Sequence, residues 1–562
     1  MLYKKLDIWR ISMKLVILIT CAFMFAGSAN AHDNKSQKSQ KSQKSQKSQK
    51  SQKSTKSHKN NKATWLSSGQ NDANSRYQKK EKTINAGNVD GLEVDWTFVT
   101  DGDVSATPAV EKDAVYFPSF GGSLYKLDRA SGALIWQKSI KDVTGISDIY
   151  SSGAPDFSRT TPVVKGDLLI LGNQGGRYFV EGGGATMMAF NKETGDLEWS
   201  TLVDEHPSAI ITQSASVHGN TVFVGVASYE EAHAGFIPGY VCCDFRASMM
   251  ALDVDTGEIL WKTYMAPEEF SGNAIWGSQP VIDKKRQSIY IATGNNYSAP
   301  QSVLDCVADD RDDCLAPYPD NYFDSVVSLD MNSGVVNWAT PVLPFDVWTV
   351  ACLFGLPTCP VPEGPDFDFG QAPVMFDVKV GKKKEQRLGV GQKSGVFWAL
   401  DPDDGSIIWS TQVSPGGIAG GLMWGSASDG KRLYTSSANN QYQPWILIDA
   451  STTYAGIWSA LDPLTGEILW QTANPEGYPN GYNAGGAISV ANGVAYACSQ
   501  GPDGHMYAMD ASDGRVLWSH VSGGSCNSGA AIADGHVFWG SGYAGFGPPN
   551  TPNNKFFSFR LP

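Results

Sequence analysis

The chain has 562 residues and a mass of 60.5 kDa, with 59 glycines, 17 tryptophans and a formal charge of −13. Only 18% of the residues are charged and 11% are aromatic, which excludes a disordered chain, while the acidic balance argues against nucleic acid as the main partner. Abundant glycine and aromatic residues predict many short strands joined by glycine turns.

The first segment, residues 1–31, has the order of a secretory signal peptide. Basic residues precede the apolar run Leu15–Gly27, and Ala29 and Ala31 form an A-x-A cleavage site before His32. The run is too short to span a bilayer comfortably, although an uncleaved anchor is the alternative. We therefore expect a periplasmic or secreted protein without a transmembrane segment after cleavage.

The next segment, residues 32–62, repeats Lys-Ser-Gln and offers no apolar side chains to bury, which predicts a disordered linker. It would act as a solvated spacer or hold the protein near an anionic surface. Residues 1–62 contain 14 basic and 2 acidic residues, a formal charge of +12, so residues 63–562 carry −25. The net charge therefore describes neither part.

Eight cysteines follow the signal segment, and export would allow them to oxidise. Cys242 and Cys243 are adjacent, so they either join each other or pair elsewhere. There is no Cys-x-x-Cys-His motif, and no covalently bound haem is expected.

A short unit recurs along the chain: an apolar residue and Asp, then Gly four residues later and Trp four residues after that. Its seven copies, one with Asn in place of Asp, are Asp128/Gly132/Trp136, Asn191/Gly195/Trp199, Asp253/Gly257/Trp261, Asp330/Gly334/Trp338, Asp401/Gly405/Trp409, Asp462/Gly466/Trp470 and Asp510/Gly514/Trp518. Such periodicity indicates repeated supersecondary units.

Each unit is a strand, a tight turn and a second strand whose tryptophan packs between neighbouring sheets. Repetition of such sheets predicts an all-β, eight-bladed β-propeller over residues 63–562. The eighth blade would join the strand around Trp96 to the C-terminal strand Phe556–Arg560, with residues 63–90 against the outside.

The repeat resembles the tryptophan-docking motif of the quinoprotein alcohol dehydrogenases, which depend on pyrroloquinoline quinone (PQQ), over about residues 65–562. Within that family the chain is most similar to the members that oxidise polyvinyl alcohol. The stretches that carry this similarity are Ser158–Pro162, Ile211–Ser214, Thr293–Tyr297 and Gly391–Asp401.

The resemblance implies PQQ in the central channel, stacked on a tryptophan and bridged to protein oxygens by Ca²⁺ or a lanthanide. The carboxylates of PQQ need cations and hydroxyl donors, its ring needs an aromatic face, and Ca²⁺ needs carboxylate and amide oxygens. The implied cofactor-binding residues are Arg159, Thr212, Trp276, Lys393 and Asn439. The implied metal ligands are Glu230, with Glu231 as its rival, and Asn295, Asp366 and Asp368.

The position of the general base departs most from the family's sequence pattern. Relatives carry an aspartate where this chain has Thr349, and an insertion bounded by Cys352 and Cys359 follows. Asp366 precedes Lys393 by 27 residues, close to the family's spacing, so Asp366 is the predicted base and Asp346 the alternative. Asp368 lies at the offset where lanthanide-using members add a second carboxylate.

Two further departures from the family concern the pocket. Ser105 stands where many relatives have a glutamate, and the adjacent cysteines fall after Glu230 instead of shortly before Arg159. Whether Cys242 and Cys243 contact the cofactor stays open.

The function implied is oxidation of secondary alcohol groups of polyvinyl alcohol, or a similar alcohol, to ketones. Electrons would pass to a separate acceptor such as cytochrome c. The alternatives are a quinoprotein dehydrogenase of small alcohols and a non-catalytic propeller scaffold of the cell envelope. A scaffold needs the repeat but not the joint presence of Glu230, Asn295, Lys393 and Asp366.

Overall fold

The computed structural model describes residues 63–148, 153–180, 183–477, 481–546 and 550–562. The predicted signal segment and linker, residues 1–62, lie outside the described residues. The propeller forms a compact unit, Ala63–Pro562. Among the helices of the described ranges, none combines the length and apolarity needed to cross a bilayer.

The described residues are almost entirely strands and turns. Strands β1 to β20 are Glu93–Val99, Ala109–Val110, Ala114–Pro118, Ser123–Asp128, Leu134–Ser139, Val163–Lys165, Leu168–Gly172, Ala185–Asn191, Leu197–Asp204, Ala209–Ile210, Ser216–His218, Thr221–Gly225, Ala227–Ser228, Ser248–Asp253, Ile259–Tyr264, Ser271–Gly272, Val281–Asp283, Ser288–Ala292, Asn296–Ser298 and Ser325–Asp330.

Strands β21 to β39 complete the chain. They are Val336–Pro341, Val374–Val380, Lys383–Gly391, Val396–Leu400, Ile407–Gln412, Gly421–Leu422, Ala427–Ser428, Leu433–Ala438, Trp445–Ile446, Thr452–Thr453, Ile457–Leu461, Ile468–Ala473, Ser489–Ala491, Val494–Cys498, His505–Asp510, Val516–Val521, Ala531–Ala533, His536–Gly540 and Lys555–Arg560. Helices α1 to α4 are Lys141–Thr144, Glu230–Phe236, Gln301–Ala308 and Ala351–Phe354, and 3₁₀ turns cover Val89–Gly91, Gly175–Tyr178 and Ala544–Phe546.

Most of these strands form eight antiparallel blades around a ring, which confirms the predicted all-β propeller, while β10–β13, β16–β19 and β29–β30 form separate two-stranded sheets. Their strand orders are β2–β3–β4–β5, β6–β7–β8–β9, β11–β12–β14–β15, β17–β18–β20–β21, β22–β23–β24–β25, β26–β28–β31–β32 with β27 beside β28, β33–β34–β35–β36, and β37–β38–β39–β1. In the last blade Trp96 of β1 lies opposite Ser558 of β39, so the two ends of the unit close the ring as predicted.

The repeated glycine and tryptophan lock neighbouring blades together. Gly334 has φ +72°, and a Cβ atom there would lie 2.5 Å from the ring of Trp261 in the preceding blade. Trp261 also donates its indole N–H to the carbonyl of Met331 at 3.1 Å. The glycine therefore serves both the turn and the close approach of the ring.

The first part of the N-terminal segment, residues 63–78, does not lie against the outside, so the expectation for residues 63–90 was wrong there. Its backbone bonds to strands that are innermost in four blades: Trp65 to Val110, Asp72 to Ile282, Ala73 to Met375 and Arg76 to Val490. Inner strands present unpaired N–H and C=O groups, and the segment satisfies them. Residues 63–78 therefore cross the central end of the ring.

Four disulfides are formed among the described cysteines. They join Cys242 to Cys243, Cys306 to Cys314, Cys352 to Cys359 and Cys498 to Cys526. The adjacent pair is thus joined within itself, which resolves the alternative left open by the sequence.

Candidate active site

The centre of the candidate site is a buried cation between two carboxylates. The Lys393 ammonium lies 2.8 Å from Oδ1 of Asp366 and 3.1 Å from Oδ2 of Asp368. Lys393 follows β23, and both aspartates precede β22, so one blade supplies all three side chains. The sequence predicted all three residues, and the structure brings them together.

The preceding blade adds an aromatic ring and an amide to this cluster. The indole N–H of Trp276 donates to Oδ2 of Asp368 at 3.1 Å, and the Lys393 ammonium lies 5.5 Å from the Trp276 ring centroid. The backbone N–H of Asn295 donates to Oδ1 of Asp368 at 2.7 Å. Asp368 therefore ties Trp276, Asn295 and Lys393 into one unit.

Burial and charge crowding shift the titration of this unit. Burial raises the pKa of Asp366 well above its ordinary value; Lys393 opposes the shift, and the neighbouring acids add to it. Burial alone would lower the pKa of Lys393, but the carboxylates of Asp366 and Asp368 outweigh it and raise the pKa. One ammonium thus faces an excess of acidic groups.

Of the two adjacent glutamates, Glu231 is the one coupled to this cluster. Burial raises its pKa to about 8, with Lys393 opposing and Asp368 and Asp346 adding to the shift. Glu230 begins α2 and is fully buried. It acts on the same surroundings as Glu231, because both glutamates raise the pKa of Tyr297 together with Asp366 and Asp368, so the choice of Glu230 over Glu231 stays a prediction.

The carboxylate of Glu230 has a different set of partners. It accepts hydrogen bonds at 3.0 Å from the Tyr240 hydroxyl and from the backbone N–H groups of Asp244 and Phe245. Glu230 thereby fixes the chain that follows the Cys242–Cys243 disulfide. The spacing from Thr212 could not separate Glu230 from Glu231, because one residue decides which side of a helix turn a side chain occupies.

Several buried oxygen atoms at the site have no hydrogen-bond partner among the described residues. They include Oδ1 of Asn295, Oδ2 of Asp366 and both carboxylate oxygens of Asp324. Buried acceptors without partners are costly, and amide and carboxylate oxygens are the ligands that hard cations prefer. With three carboxyl groups against one ammonium, the donor set fits a Ca²⁺ or lanthanide ion.

A small cavity beside the cluster carries hydroxyl and guanidinium groups. Arg159, Thr212 and Ser105 line it together with Trp424, and the guanidinium of Arg159 lies 4.3 Å from the Trp424 ring centroid. Trp424 in turn meets Trp276 edge to face, with ring centroids 5.2 Å apart. The cavity thus joins the aromatic and basic groups that a flat, carboxylated ring needs.

Arg76 and Trp424 are lining residues that the sequence analysis did not single out. Arg76 is fully buried, and among the described residues its guanidinium donates to neutral oxygens alone, such as the Ile488 carbonyl and the Thr107 hydroxyl. Burial lowers its pKa to about 9. Arg76 belongs to the N-terminal segment, and the path of that segment across the ring brings it here.

Asn439, a predicted cofactor-binding residue, is buried and hydrogen-bonded to its neighbours in sequence. Its amide donates to the carbonyls of Gln443 and Tyr454, and its Oδ1 accepts the backbone N–H of Gln443 at 2.9 Å. The side chain thereby fixes its own loop after β28.

Asp346, the alternative base, is buried behind Asp366. Burial raises its pKa to about 6, with the backbone N–H groups of Phe367 and Asp366 opposing the shift. Burial and the neighbouring Asp346 raise the pKa of Asp324 well above its ordinary value. Asp346 therefore accepts a hydrogen bond from the backbone of Asp366, the predicted base.

Sequence comparison assigns the family. The profile described as "Glucose/ethanol/alcohol dehydrogenase, beta-propeller domain", the PQQ family, matches residues 65–424. A second profile, "Outer membrane protein assembly factor BamB", matches residues 392–538. The chain belongs to the PQQ-dependent quinoprotein alcohol dehydrogenases.

Within this family the chain is similar to two curated polyvinylalcohol dehydrogenases. The protein from Sphingopyxis sp. (strain 113P3) is 30% identical over 86% of this chain and 73% of its own length. The protein from Pseudomonas sp is 29% identical over the same shares. The crystal structure of quinohemoprotein alcohol dehydrogenase from Comamonas testosteroni has a TM-score of 0.65 and 16% identity, covering 89% of this chain and 80% of that chain, and supports the fold.

Proposed function

We propose that this chain is an exported PQQ- and metal-dependent dehydrogenase that oxidises secondary alcohol groups of polyvinyl alcohol, or a similar alcohol, to ketones. The observation that carries the proposal is the buried Lys393–Asp366–Asp368 cluster, placed against Trp276 and Asn295. A scaffold would have no use for this arrangement. The names of the curated relatives support the choice of substrate.

Different residues would bind different parts of the cofactor. Trp276 would take one face of PQQ, Arg159 and Thr212 its carboxylates, and Lys393 its quinone oxygens. Glu230, Asn295, Asp366 and Asp368 would hold Ca²⁺ or a lanthanide, with Glu231 as the alternative to Glu230.

PQQ supplies a hydride acceptor when it is bound. Asp366 would accept the hydroxyl proton of the alcohol at Oδ2, the oxygen without a partner. The Lys393 ammonium holds Oδ1 at 2.8 Å and so orients the carboxyl group. Burial raises the pKa of Asp366, which makes its carboxylate a stronger base, while the Lys393 ammonium opposes that shift and favours the ionised form that would accept the proton.

An open cleft of about 340 Å³ borders the segment that carries Asp366. Trp348, Pro365, Phe367 and Ile418 give it apolar walls, and Gln441 and Ser394 give it polar groups. Val361 and Tyr442, 77% and 43% exposed, lie close in sequence to its lining residues. An open cleft of mixed polarity suits a chain of alternating methylene and carbinol groups, which supports a polymeric alcohol over a small one.

Reconstitution tests the proposal. Purified protein would be loaded with PQQ and either Ca²⁺ or La³⁺, and dye reduction measured with polyvinyl alcohol, 2,4-pentanediol and 2-propanol. We expect cofactor uptake, activity on all three alcohols and the highest kcat/KM with the polymer. Asp366→Asn should lose at least about 100-fold in kcat, while Asp377→Asn on β22 serves as the control. Failure to bind PQQ with either metal would overturn the proposal.

The proposal also includes export of the protein and transfer of electrons to an acceptor. Cleavage of residues 1–31 during export and a linker over residues 32–62 would leave the propeller as the catalytic unit, with a separate acceptor such as cytochrome c. N-terminal sequencing of the mature protein tests the cleavage. Stopped-flow reduction of cytochrome c by the loaded, alcohol-reduced enzyme tests the acceptor.

A further inference from the structure

We infer that Asp346 is a positioning residue that holds Asp366 in its working conformation and, through the same short segment, orients Asn295. The inference rests on the proposed function, because it takes Asp366 as the base and a metal ligand. It adds a role for Asp346, which contacts neither the Lys393 ammonium nor the small cavity through any described hydrogen bond.

The first observation is the backbone of Asp366. Its φ is +57°, in the left-handed region that a residue other than glycine adopts only when its surroundings hold it there. The Asp346 carboxylate provides that hold: Oδ1 accepts the backbone N–H of Asp366 at 3.0 Å, and Oδ2 accepts that of Phe367 at 2.7 Å. Both oxygens of one buried carboxylate therefore fix two successive peptide groups.

The second observation is the path of residues 347–365, the segment that separates these two aspartates. Its far end is fastened beside Asp346, because the backbone N–H of Gly364 donates to the carbonyl of Val347 at 2.8 Å. A Cβ atom on Gly364 would lie 2.1 Å from Oδ1 of Asp346, so only glycine permits this approach. The chain thus leaves the site after Trp348 and returns beside Asp346, directly before Asp366.

The third observation links the same segment to Asn295. The carbonyl of Asp346 accepts the backbone N–H of Asn296 at 3.0 Å, and the carbonyl of Trp348 accepts the Asn295 side-chain amide at 2.9 Å. Donation through Nδ2 fixes which way the amide faces and leaves Oδ1 without a partner. Residues 346–348 therefore orient two unpartnered oxygens, Oδ1 of Asn295 and Oδ2 of Asp366.

Asp346 holds the two predicted metal ligands in place and is therefore a positioning residue. Its loss should change the geometry of those ligands in addition to any effect on folding. In Asp346→Asn one acceptor oxygen remains and the other is replaced by an amide N–H group that faces a backbone donor. Asp366 would then be free to leave the left-handed conformation. Metal affinity and kcat should fall together, while KM for the alcohol changes less.

The experiment measures Tb³⁺ luminescence of the full chain without PQQ, and dye reduction of the loaded enzyme. For Asp346→Asn we expect a Kd for Tb³⁺ at least about tenfold higher, a kcat at least about 100-fold lower and a KM within about threefold. The matched control is Glu81→Gln. Glu81 is also a buried carboxylate that accepts backbone N–H groups, from Ile84 at 3.0 Å and Gly535 at 2.9 Å, away from the site.

Glu81→Gln should lower the melting temperature while leaving the Tb³⁺ Kd unchanged. The inference would be overturned if Asp346→Asn kept the wild-type Tb³⁺ affinity and kcat. It would also be overturned if Glu81→Gln, at the same melting temperature as Asp346→Asn, lost Tb³⁺ affinity and kcat to the same extent. If Asp346→Asn does not fold, Gly364→Ala, which crowds the same carboxylate, takes its place with the same readouts. A wild-type chain that binds Tb³⁺ but shows no activity with PQQ would overturn the proposed function while the Tb³⁺ comparison still decides this inference.

Discussion

The blade ring and the central site follow opposite rules of construction. In the ring, the seven repeat glycines have φ between +69° and +77°, and each lies against the tryptophan of the preceding blade. In the centre, residues other than glycine adopt positive φ, among them Asp324, Asp366 and Trp424. The ring repeats one local solution, whereas the site depends on side chains from distant segments that hold one another in place.

This difference teaches where changes are tolerated. A ring position is supported by its own turn and one neighbouring blade, so its loss is local. A site position shares its partners, since Asp368 alone contacts Lys393, Trp276 and Asn295. Substitutions in the centre should therefore couple strongly, while substitutions in the ring should add.

The largest expected effect comes from removing the central cation. Lys393→Met should abolish dye reduction and lower the free energy of unfolding by about 3 kcal/mol, because Asp366 and Asp368 lose their buried partner. Chemical denaturation and activity assays check both. The control, Lys384→Met, removes an exposed pair with Asp377 and should cost less than about 0.5 kcal/mol. Equal losses from the two variants would contradict the central role of Lys393.

A ring glycine should come next. Gly334→Ala places a Cβ 2.5 Å from Trp261 in addition to the left-handed strain at φ +72°, and should cost about 3 kcal/mol in urea unfolding. Gly381→Ala has a similar φ of +62° but meets nothing within 4 Å, so it should cost about 1 kcal/mol. Equal losses of unfolding free energy in the two variants would show that the contact with Trp261 does not contribute to the cost.

The pH dependence of stability should expose the crowded carboxyl groups. The folded-state pKa of Glu231 is raised to about 8 from 4.5, so its contribution is present at low pH and is lost as the pH rises towards 8. In EDTA the melting temperature should fall by several degrees between pH 5 and pH 8, and saturating Ca²⁺ should reduce that fall. Glu231→Gln should flatten the slope, whereas exposed Glu258→Gln should leave it unchanged. A steeper slope in Glu231→Gln would contradict the assignment.

The smallest effect separates two tryptophans of the ring. Trp470 donates its indole N–H to the carbonyl of Ala511 at 3.2 Å, whereas the indole N–H of Trp409 has no partner among the described residues. Trp470→Phe should therefore cost about 1 kcal/mol more than Trp409→Phe in denaturant unfolding. A reversed order would show that ring packing, not the hydrogen bond, decides the cost.

The sequence by itself determined the ring. Asp, Gly and Trp at fixed spacing specify a turn and a strand that fold from local rules, and the pattern at both ends of residues 93–560 predicted how the ring closes. It also predicted that Trp276, Asn295, Asp366, Asp368 and Lys393 would meet, because the family motifs carry those positions.

Only the tertiary structure decided the rest. It moved residues 63–78 from the outside to the central end of the ring, engaged Asn439 in its own loop, and gave the Glu230 carboxylate backbone partners after the Cys242–Cys243 disulfide. Each of these depends on which way a side chain or a crossing segment faces. Spacing along a chain does not encode that direction, since it is set by hydrogen bonds between residues far apart in sequence.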